Sequence, residues 1–506
     1  MNDIAVYLVG AGPGDAGLLT LRAKEVLERC DVCIYDNLVD DRIVHCFTRP
    51  GCEKIYVGKS GACHTLEQDG INKLIADKAR ENKIVARLKG GDPFIFGRGG
   101  EEALFLAENN IGFEVVSGVS SAYAAPACAG IPVTNRGYSS SVAFITGHED
   151  PAKLESDIEW DKIATGVQTL VFLMGVKNLP FIVGKLVRNG RKDSTPAAVV
   201  ENGCRPNQRS VAGTLADIES RAKAADIRPP SIIIVGDVVS LREKINWFEN
   251  RLLFGKTILV TRSRDQASAF SARLAELGAA VVEVPVIKIV PVEDPAPIRE
   301  RIKSLARYDW IIFTSINGVA RFFGHMSELG LDSRKLSGNK ICAIGPATAE
   351  RLKQSGIAPD LVPEKFISAE VADMLIKAGE VGGKSFLLPR ADIAPKNLSE
   401  ALLAAGAKIV DDIAVYQTVE EDYDGTPGLK EILEQNKIDL VTFTSSSTVR
   451  NFIRLAGRFD ASAVSCAVIG PVTAQTALEA GFKVEIAAQT HTIEGLVEAV
   501  CAYYAK

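Results

Sequence analysis

Val9-Gly10-Ala11-Gly12-Pro13-Gly14-Asp15-Ala16-Gly17-Leu18-Leu19-Thr20 joins an apolar run, Ile4 to Val9, to a segment of helical spacing, Leu18 to Glu28. A glycine-rich turn between a buried strand and a helix is a standard seat for a small charged ligand. The spacing invites comparison with the dinucleotide fingerprint G-x-G-x-x-G. Gly10 and Gly12 fit it, but Asp15 occupies the third glycine position. A carboxylate at that helix start repels a pyrophosphate. Pro13 also removes a backbone N–H that a phosphate would use. The turn therefore reads as the seat of a ligand other than a dinucleotide, and a nucleotide-dependent dehydrogenase is the disfavoured alternative. Asp15 itself reads as a helix N-cap.

The 506 residues are 47% hydrophobic and 24% charged, with a formal net charge of −5 and a pI near 5.8. This is the profile of a soluble globular protein of roughly three or four domains. The acidic balance argues against general nucleic-acid binding. No apolar run reaches the roughly 18 residues of a membrane span, and no basic n-region precedes the first strand. A cytoplasmic protein with no membrane association is expected, and ten scattered cysteines fit free thiols in that compartment. Cys30-x-x-Cys33 is read as a pair of ordinary buried thiols in preference to a redox or zinc site. His45, His64, His148, His325 and His491 show no H-x-x-x-H spacing, so no metal is expected.

Strand-like runs alternate with helical patterns along the whole chain, which predicts an α/β fold with largely parallel sheets. The best boundary lies at Asn246 to Gly255, before Lys256-Thr257-Ile258-Leu259-Val260-Thr261 restarts as a first strand would. The second half repeats itself at a spacing of about 125–130 residues. Leu259–Arg262 resembles Leu387–Arg390, Ile312–Ser315 resembles Thr442–Ser445, and Ala343–Ala349 resembles Val468–Ala474. Two copies are too few for a solenoid. They predict two similar α/β lobes with a ligand cleft between them.

The first half carries a dense set of motifs. After the glycine turn come Tyr35-Asp36-Asn37-Leu38-Val39 at a strand end, Val57-Gly58-Lys59, and R-L-K-G-G-D-P-F-I-F-G-R-G-G-E-E at Arg87–Glu102. Then follow S-G-V-S-S-A at Ser117–Ala122, G-I-P-V-T-N-R-G at Gly130–Gly137, F-L-M-G at Phe172–Gly175 and V-V-E-N-G at Val199–Gly203. In this order, over residues 3 to 247, they resemble the tetrapyrrole methylases, most closely uroporphyrinogen-III C-methyltransferase. The resemblance implies a two-lobed domain that binds S-adenosylmethionine in a cleft and methylates uroporphyrinogen III twice to give precorrin-2. Its donor-binding positions fall on Pro13, Gly90, Gly91, Asp92, Ile95, Ser120, Ser121, Met174 and Gly203. Its proposed proton acceptor falls on Asp36 and its proton donor on Lys59. A homodimer through this half is implied as well. Such a substrate carries eight carboxylates, and Arg22, Arg87, Arg98 and Arg136 lie in or beside the motifs as candidate partners. Plainer readings stand beside these. Asp36 could cap the next turn, Lys59 could be a surface lysine and Met174 core filler, and Arg87 and Arg98 could form internal ion pairs. Asn135-Arg136 and Ser120-Ser121 are small departures from the family pattern.

The second half carries V-T-R-S-R-D-Q at Val260–Gln266, F-T-S-I-N-G-V at Phe313–Val319, A-I-G-P-A-T-A at Ala343–Ala349, A-V-Y-Q-T at Ala414–Thr418, F-T-S-S-S-T-V at Phe443–Val449 and V-I-G-P-V-T-A at Val468–Ala474. These resemble uroporphyrinogen-III synthase, whose product is the substrate of the first half. The resemblance implies residues 255–506 in two flavodoxin-like lobes, one of 255–290 with 420–506 and one of 291–419. It implies ring closure of hydroxymethylbilane. Ser315, Thr348, Ser445, Ser446 and Thr473 are candidate substrate contacts, with helix capping the plainer role for Thr348 and Thr473. Tyr416 falls on the tyrosine proposed to assist hydroxyl departure. A non-catalytic tetrapyrrole-binding module is the alternative for this half, and methylation of another precorrin the alternative for the first. Sirohaem or cobalamin synthesis is the implied destination.

Overall fold

The computed structural model describes residues 4–58, 67–148, 157–262, 264–364, 366–420, 429–435, 437–457 and 460–505. The chain forms two compact units, Met1–Lys256 with Ala275–Ala280, and Thr257–Leu274 with Val281–Lys506. None of the described helices is long and apolar enough to cross a membrane.

The first unit holds two five-stranded sheets. Strands β1 (Val6–Gly10), β2 (Val32–Tyr35), β3 (Glu53–Tyr56), β4 (Val85–Lys89) and β5 (Phe113–Val116) form a wholly parallel sheet in the order β3-β2-β4-β1-β5. Its centre explains the apolar run that opens the chain. Side chains alternate across a sheet, so Val6 and Leu8 of β1 pack into one core and Tyr7 and Val9 into the other. Both faces are covered, as a parallel sheet requires. Strand β4 uses the same alternation differently. Ala86 and Leu88 join the core of Val9, while Arg87 and Lys89 share the opposite face with Val85.

The second sheet departs from the parallel expectation. Strands β6 (Val142–Thr146), β7 (Thr169–Leu173), β8 (Pro196–Glu201), β9 (Arg209–Thr214) and β10 (Ser231–Val235) run in the order β6-β7-β10-β8-β9. Only β6 and β7 pair in parallel; β10 is antiparallel to β7 and β8, and β8 to β9. The tight connection Asn202–Gln208 forces β8 and β9 into a hairpin, since a parallel partner needs a long crossover. Gly236, with φ 149°, follows the last residue of β10, Val235.

In the second unit, β11 (Thr257–Val260), β12 (Ala280–Glu283), β13 (Ile287–Val290), β14 (Trp310–Phe313), β15 (Lys340–Ala343), β16 (Ser385–Ala391), β17 (Ile409–Glu420), β18 (Leu440–Phe443), β19 (Ser465–Val468) and β20 (Lys483–Ala487) form two further sheets. Their orders are β12-β11-β18-β19-β20 and β13-β17-β16-β14-β15. The first has the 2-1-3-4-5 order of a flavodoxin-like lobe.

One lobe boundary expected from the sequence shifts. The lobe crossing placed near residue 290 lies before β13. That strand pairs antiparallel with the second lobe, Ile287 opposite Glu420 and Val290 opposite Gln417. The cause is the length of β17, twelve residues, whose C-terminal third runs beyond β16 and offers β13 a free edge. The two repeat copies are each shared between the two lobes. The first copy supplies β11 to one lobe and β14 and β15 to the other, while the second copy supplies β16 to the latter and β18 and β19 to the former. Each lobe is therefore assembled from part of each copy.

Matching aspartates close both exchanges. Asp439, just before β18, accepts the Thr257 N–H at the start of β11 at 2.8 Å, and its own N–H reaches the Thr257 carbonyl at 2.9 Å. Asp309, just before β14, accepts the Ser385 N–H at the start of β16 at 2.8 Å and donates to the Ser385 carbonyl at 2.8 Å. Removing either carboxylate strands a backbone N–H, at a cost of about 1–3 kcal/mol. Asp309→Ala is expected to speed amide exchange in β16 but not β11, and Asp439→Ala the reverse. Equal protection of both strands in each variant would show that these carboxylates do not hold the exchanged strands.

Candidate functional site

At the carboxyl ends of β1, β4 and β5, three glycines bring backbone against backbone. A Cβ on Gly10 would lie 2.5 Å from the Gly118 backbone and 2.7 Å from the Gly91 carbonyl. Gly12 and Gly91 exchange hydrogen bonds at 3.2 and 2.7 Å, and Ala11 N–H reaches the Lys89 carbonyl at 2.8 Å. Asp92 locks this arrangement. One carboxylate oxygen accepts Phe94 N–H at 2.8 Å and the other accepts Gly118 N–H at 3.0 Å, so it ties the turn after β4 to the turn after β5. Asp15 accepts Gly17 N–H at 2.8 Å as the cap of the short turn Ala16–Leu18.

These turns form one wall of a cavity of about 1340 Å³. It is lined by Pro13, Gly90, Gly91, Ile95, Ser121, Met174 and Gly203, together with Asp36, Arg87 and Arg98. Asp92 and Ser120 stand behind that wall. Ser120 is buried and caps the helix Ser121–Cys128, accepting Ala122 N–H at 3.3 Å. Met174 is not core filler. It follows β7 with φ 58° and is 53% exposed at the cavity. Lys59 lies outside the described residues.

Beneath the wall is a charged network that the sequence reading did not assemble. Arg87 and Lys89 point from β4 towards the helix Gly99–Glu108, and Glu102 on that helix meets both. Glu102 Oε1 accepts Lys89 Nζ at 2.8 Å, Arg87 Nε at 3.1 Å and Gln68 Nε2 at 3.2 Å. Arg87 then bonds Asp36 at 3.0 Å and the carbonyls of Leu88 and Ile34 at 3.0 and 3.4 Å. Its guanidinium is satisfied inside the protein, so the expectation of a substrate-facing Arg87 gives way to an internal ion pair. Asp36 caps its turn through Leu38 N–H at 3.1 Å, and it also faces the cavity. Burial and then the Arg87 charge pull Lys89 below the ordinary lysine range, against the opposing pull of Glu102. The signal available in the sequence was the i, i+2 spacing of Arg87 and Lys89 on a buried strand, which demands a buried acid.

The other arginines separate. Arg22 is held by both oxygens of Glu114 at 2.8 and 2.7 Å, away from the cavity. Arg136 is exposed in the turn Asn135–Ser139 and does not line the cavity. Arg98 lines it while bonding both oxygens of Glu101 at 2.8 and 2.7 Å. Among the described residues no His/Cys/Asp/Glu group is arranged to hold a metal ion. The Cys30 sulfur lies 3.6 Å from that of Cys52.

In the second unit, the structure brings Ser315 and Tyr416 together, their hydroxyls 3.1 Å apart. Ser315 caps the helix Ile316–Glu328, accepting Gly318 N–H at 2.9 Å. Tyr416 is 6% exposed, and burial raises its phenol above the usual value, with Ser315 opposing. Ser445 caps the equivalent helix Ser446–Ala456. Ser446 donates to the Val472 carbonyl at 3.2 Å and accepts from Thr476 at 2.9 Å. Thr348 and Thr473 are buried, and neither caps its helix; Gly345 and Gly470 occupy the cap positions without a side-chain bond.

Family models match both units. Residues 5–219 match tetrapyrrole (corrin/porphyrin) methylases, and residues 268–498 match uroporphyrinogen-III synthase. The porphyrin biosynthesis protein HemD of Ruminiclostridium josui is 39% identical over 497 residues, 97% of each chain. The chain belongs to this family, a tetrapyrrole methylase joined to a uroporphyrinogen-III synthase. The S-adenosyl-L-methionine-dependent uroporphyrinogen III methyltransferase of Methanosarcina barkeri is 50% identical over 238 residues, 47% of this chain and 93% of its own. The Thermus thermophilus uroporphyrin-III C-methyltransferase complexed with S-adenosylhomocysteine is 41% identical, covering 47% of this chain and 99% of its own, with a TM-score of 0.40.

In the methylase unit, the weight on Glu102 can be tested. Glu102→Leu leaves two buried cations without their shared acid, and loss of one partner of a buried pair costs about 3–5 kcal/mol. Denaturant unfolding of the full chain is expected to lose that much from the methylase transition, with Glu102→Gln intermediate. An unfolding midpoint unmoved by Glu102→Leu would remove the network from the account of this unit.

Proposed function

We propose that the chain closes hydroxymethylbilane to uroporphyrinogen III in its synthase unit, residues 255–506, and methylates that product twice in its methylase unit, residues 1–247. The product of the second reaction is then precorrin-2, a precursor for sirohaem or cobalamin. The observation that carries the reading is the meeting of both matched families at one metabolite on one chain. S-adenosylmethionine is the methyl donor, as in the relatives that match the methylase unit.

The residues present suit that donor. Gly90 and Gly91 both line the cavity, and Gly91, with φ 69°, turns bare backbone to it beside the Ser120–Ser121 backbone, 3.8 Å from a built Cβ. Pro13, Ile95, Ser121, Met174 and Gly203 complete the proposed donor contacts. Asp92 and Ser120 act on it through the turns they pin. The bound donor supplies a methyl group on a sulfonium, and the acceptor is an electron-rich pyrrole carbon. The protein then has two tasks: to hold the pyrrole carbon in line with the methyl–sulfur bond that breaks, and to accept the proton released. Alignment alone is worth up to roughly 7–11 kcal/mol at the ideal limit. Asp36 is the proposed proton acceptor, aimed by Leu38 N–H and Arg87. Lys59 is the proposed donor. The Asp15 cap supports this reading over a dinucleotide, because the Gly17 N–H is taken by a carboxylate of the protein at the position where the dinucleotide fingerprint has a glycine.

In the synthase unit the work is conformational, a flexible polyacid held bent while a hydroxyl departs. Tyr416 is the proposed acid assisting that departure. Its burial keeps the phenol protonated at neutral pH, which suits a donor of hydrogen bonds and limits its strength as an acid.

Full-length protein supplied with hydroxymethylbilane and labelled S-adenosylmethionine is expected to form a dimethylated product with the type III arrangement. Asp36→Ala is expected to lose methylation by about 10²–10⁴-fold with ring closure intact. Tyr416→Phe is expected to slow ring closure by less than about 100-fold with methylation of supplied uroporphyrinogen III intact. Absence of dimethylated product sinks the reading of the chain, unchanged methylation removes Asp36 from the chemistry, and a complete block by Tyr416→Phe makes the phenol the principal acid.

A further inference from the structure

Arg205 stands in the hairpin turn between β8 and β9, where Asn202 and Cys204 take left-handed φ values of 50° and 64°. Its side chain crosses the cleft of the methylase unit to the glycine-rich wall. A guanidinium N–H donates to the Leu38 carbonyl at 2.8 Å. The stem lies against Gly14, where a built Cβ would meet Cγ at 2.8 Å and Cδ at 3.1 Å. Gly14 has φ 129°, so the position excludes a side chain by conformation as well as by space. Arg205 lines the same cavity as Pro13, Gly90 and Gly203.

Of the four other lysines and arginines lining that cavity, Lys177 among them, three hold a carboxylate of the protein: Arg87 holds Asp36 and Glu102, Lys89 holds Glu102, and Arg98 holds Glu101. Arg205 differs from those three. A guanidinium carries five N–H donors, and among the described residues this one makes a single hydrogen bond, to a neutral carbonyl. The acid whose field it enters, Asp40, has both oxygens on Arg42 at 3.0 and 2.9 Å.

We propose that Arg205 recognises a ligand carboxylate in the cleft with its remaining N–H donors, while its stem and its bond to Leu38 hold the Gly14 and Leu38 turns in place. The planar fork matches a carboxylate in a way a lysine does not. The carboxylate belongs to the amino-acid end of the methyl donor or to an acid side chain of the tetrapyrrole; both present the same acceptor. The inference rests on the methyltransferase reading of this cleft.

Calorimetry on the full chain compares S-adenosylhomocysteine with its decarboxylated analogue, and steady-state assays give KM for uroporphyrinogen III, in wild type, Arg205→Met and Arg205→Lys. Binding of S-adenosylhomocysteine by the wild type tests the reading of the cleft, and its absence fails that reading rather than the role of Arg205. With binding in hand, a donor carboxylate predicts about 10–100-fold weaker S-adenosylhomocysteine binding in Arg205→Met. The analogue, which also reports that the variant is folded, then binds as in wild type. A tetrapyrrole carboxylate predicts unchanged S-adenosylhomocysteine binding and a KM raised by the same factor. Arg205→Lys recovers part of either loss. Unchanged affinities and KM in Arg205→Met overturn the proposal, and so does equal weakening of S-adenosylhomocysteine and its analogue, which would leave Arg205 only a shape-keeping role.

Discussion

The methylase unit depends on three backbones touching. Gly10, Gly91 and Gly118 end β1, β4 and β5 so close together that a methyl group on Gly10 would fall within 2.5 Å of its neighbour. Backbone contact of this kind leaves no room for side chains to do the binding, so the wall facing the cavity presents peptide groups. Those groups must be held still to be useful. Asp92 does this by taking one N–H from each of two turns, Phe94 and Gly118. A residue that would be read as a ligand contact thus works one step back, by fixing the backbone that makes the contact. Ser120 works in the same way through its helix cap.

Behind the wall the problem is charge. Arg87 and Lys89 lie in a strand buried on both faces, where an unpaired cation is far too costly to keep. Two carboxylates answer them, Glu102 from the facing helix and Asp36 from the end of β2. The set is balanced, two positive and two negative. Glu102 Oε1 carries three of the bonds while Oε2 is buried without a partner among the described residues. The geometry is therefore set by Oε1, which fixes Arg87, which in turn fixes the cavity-facing carboxylate of Asp36. Asp36 owes its orientation to a residue 66 positions further along the chain.

Much of this was legible in the sequence. The glycine turn, the R-L-K-G-G-D run and the turn before Ser121 were each placed between a strand and a helix, and they converge on one cavity. What sequence could not supply was the partner of each charge. Arg22, Arg87 and Arg98 are alike as motif arginines, yet Arg22 is taken by Glu114 on a neighbouring strand, away from the cavity, while Arg87 and Arg98 both line it, Arg87 buried on Asp36 and Glu102 and Arg98 exposed on Glu101. Periodicity assigns a face to a side chain; it says nothing of which acid stands opposite. Arg205 carries no signal in the sequence for the same reason, since the surface it packs against is Gly14, 191 residues away.

The synthase unit shows the limit in another form. The internal repeat was visible from three short matches, and the matched segments do occupy equivalent places, Ser315 and Ser445 both capping the helix after a central strand. Each copy is nonetheless divided between the two lobes. Similarity between segments reports which strands are alike, whereas lobe membership is decided by which strands share hydrogen bonds. Asp309 and Asp439 make those choices, each binding the first strand of the other copy. Neither copy can complete a sheet from its own residues, because each lacks the strand that its central aspartate pairs. The two crossings are therefore a consequence of how the sheets close, and β13, held on the overhanging end of β17, is the strand that carries the first of them.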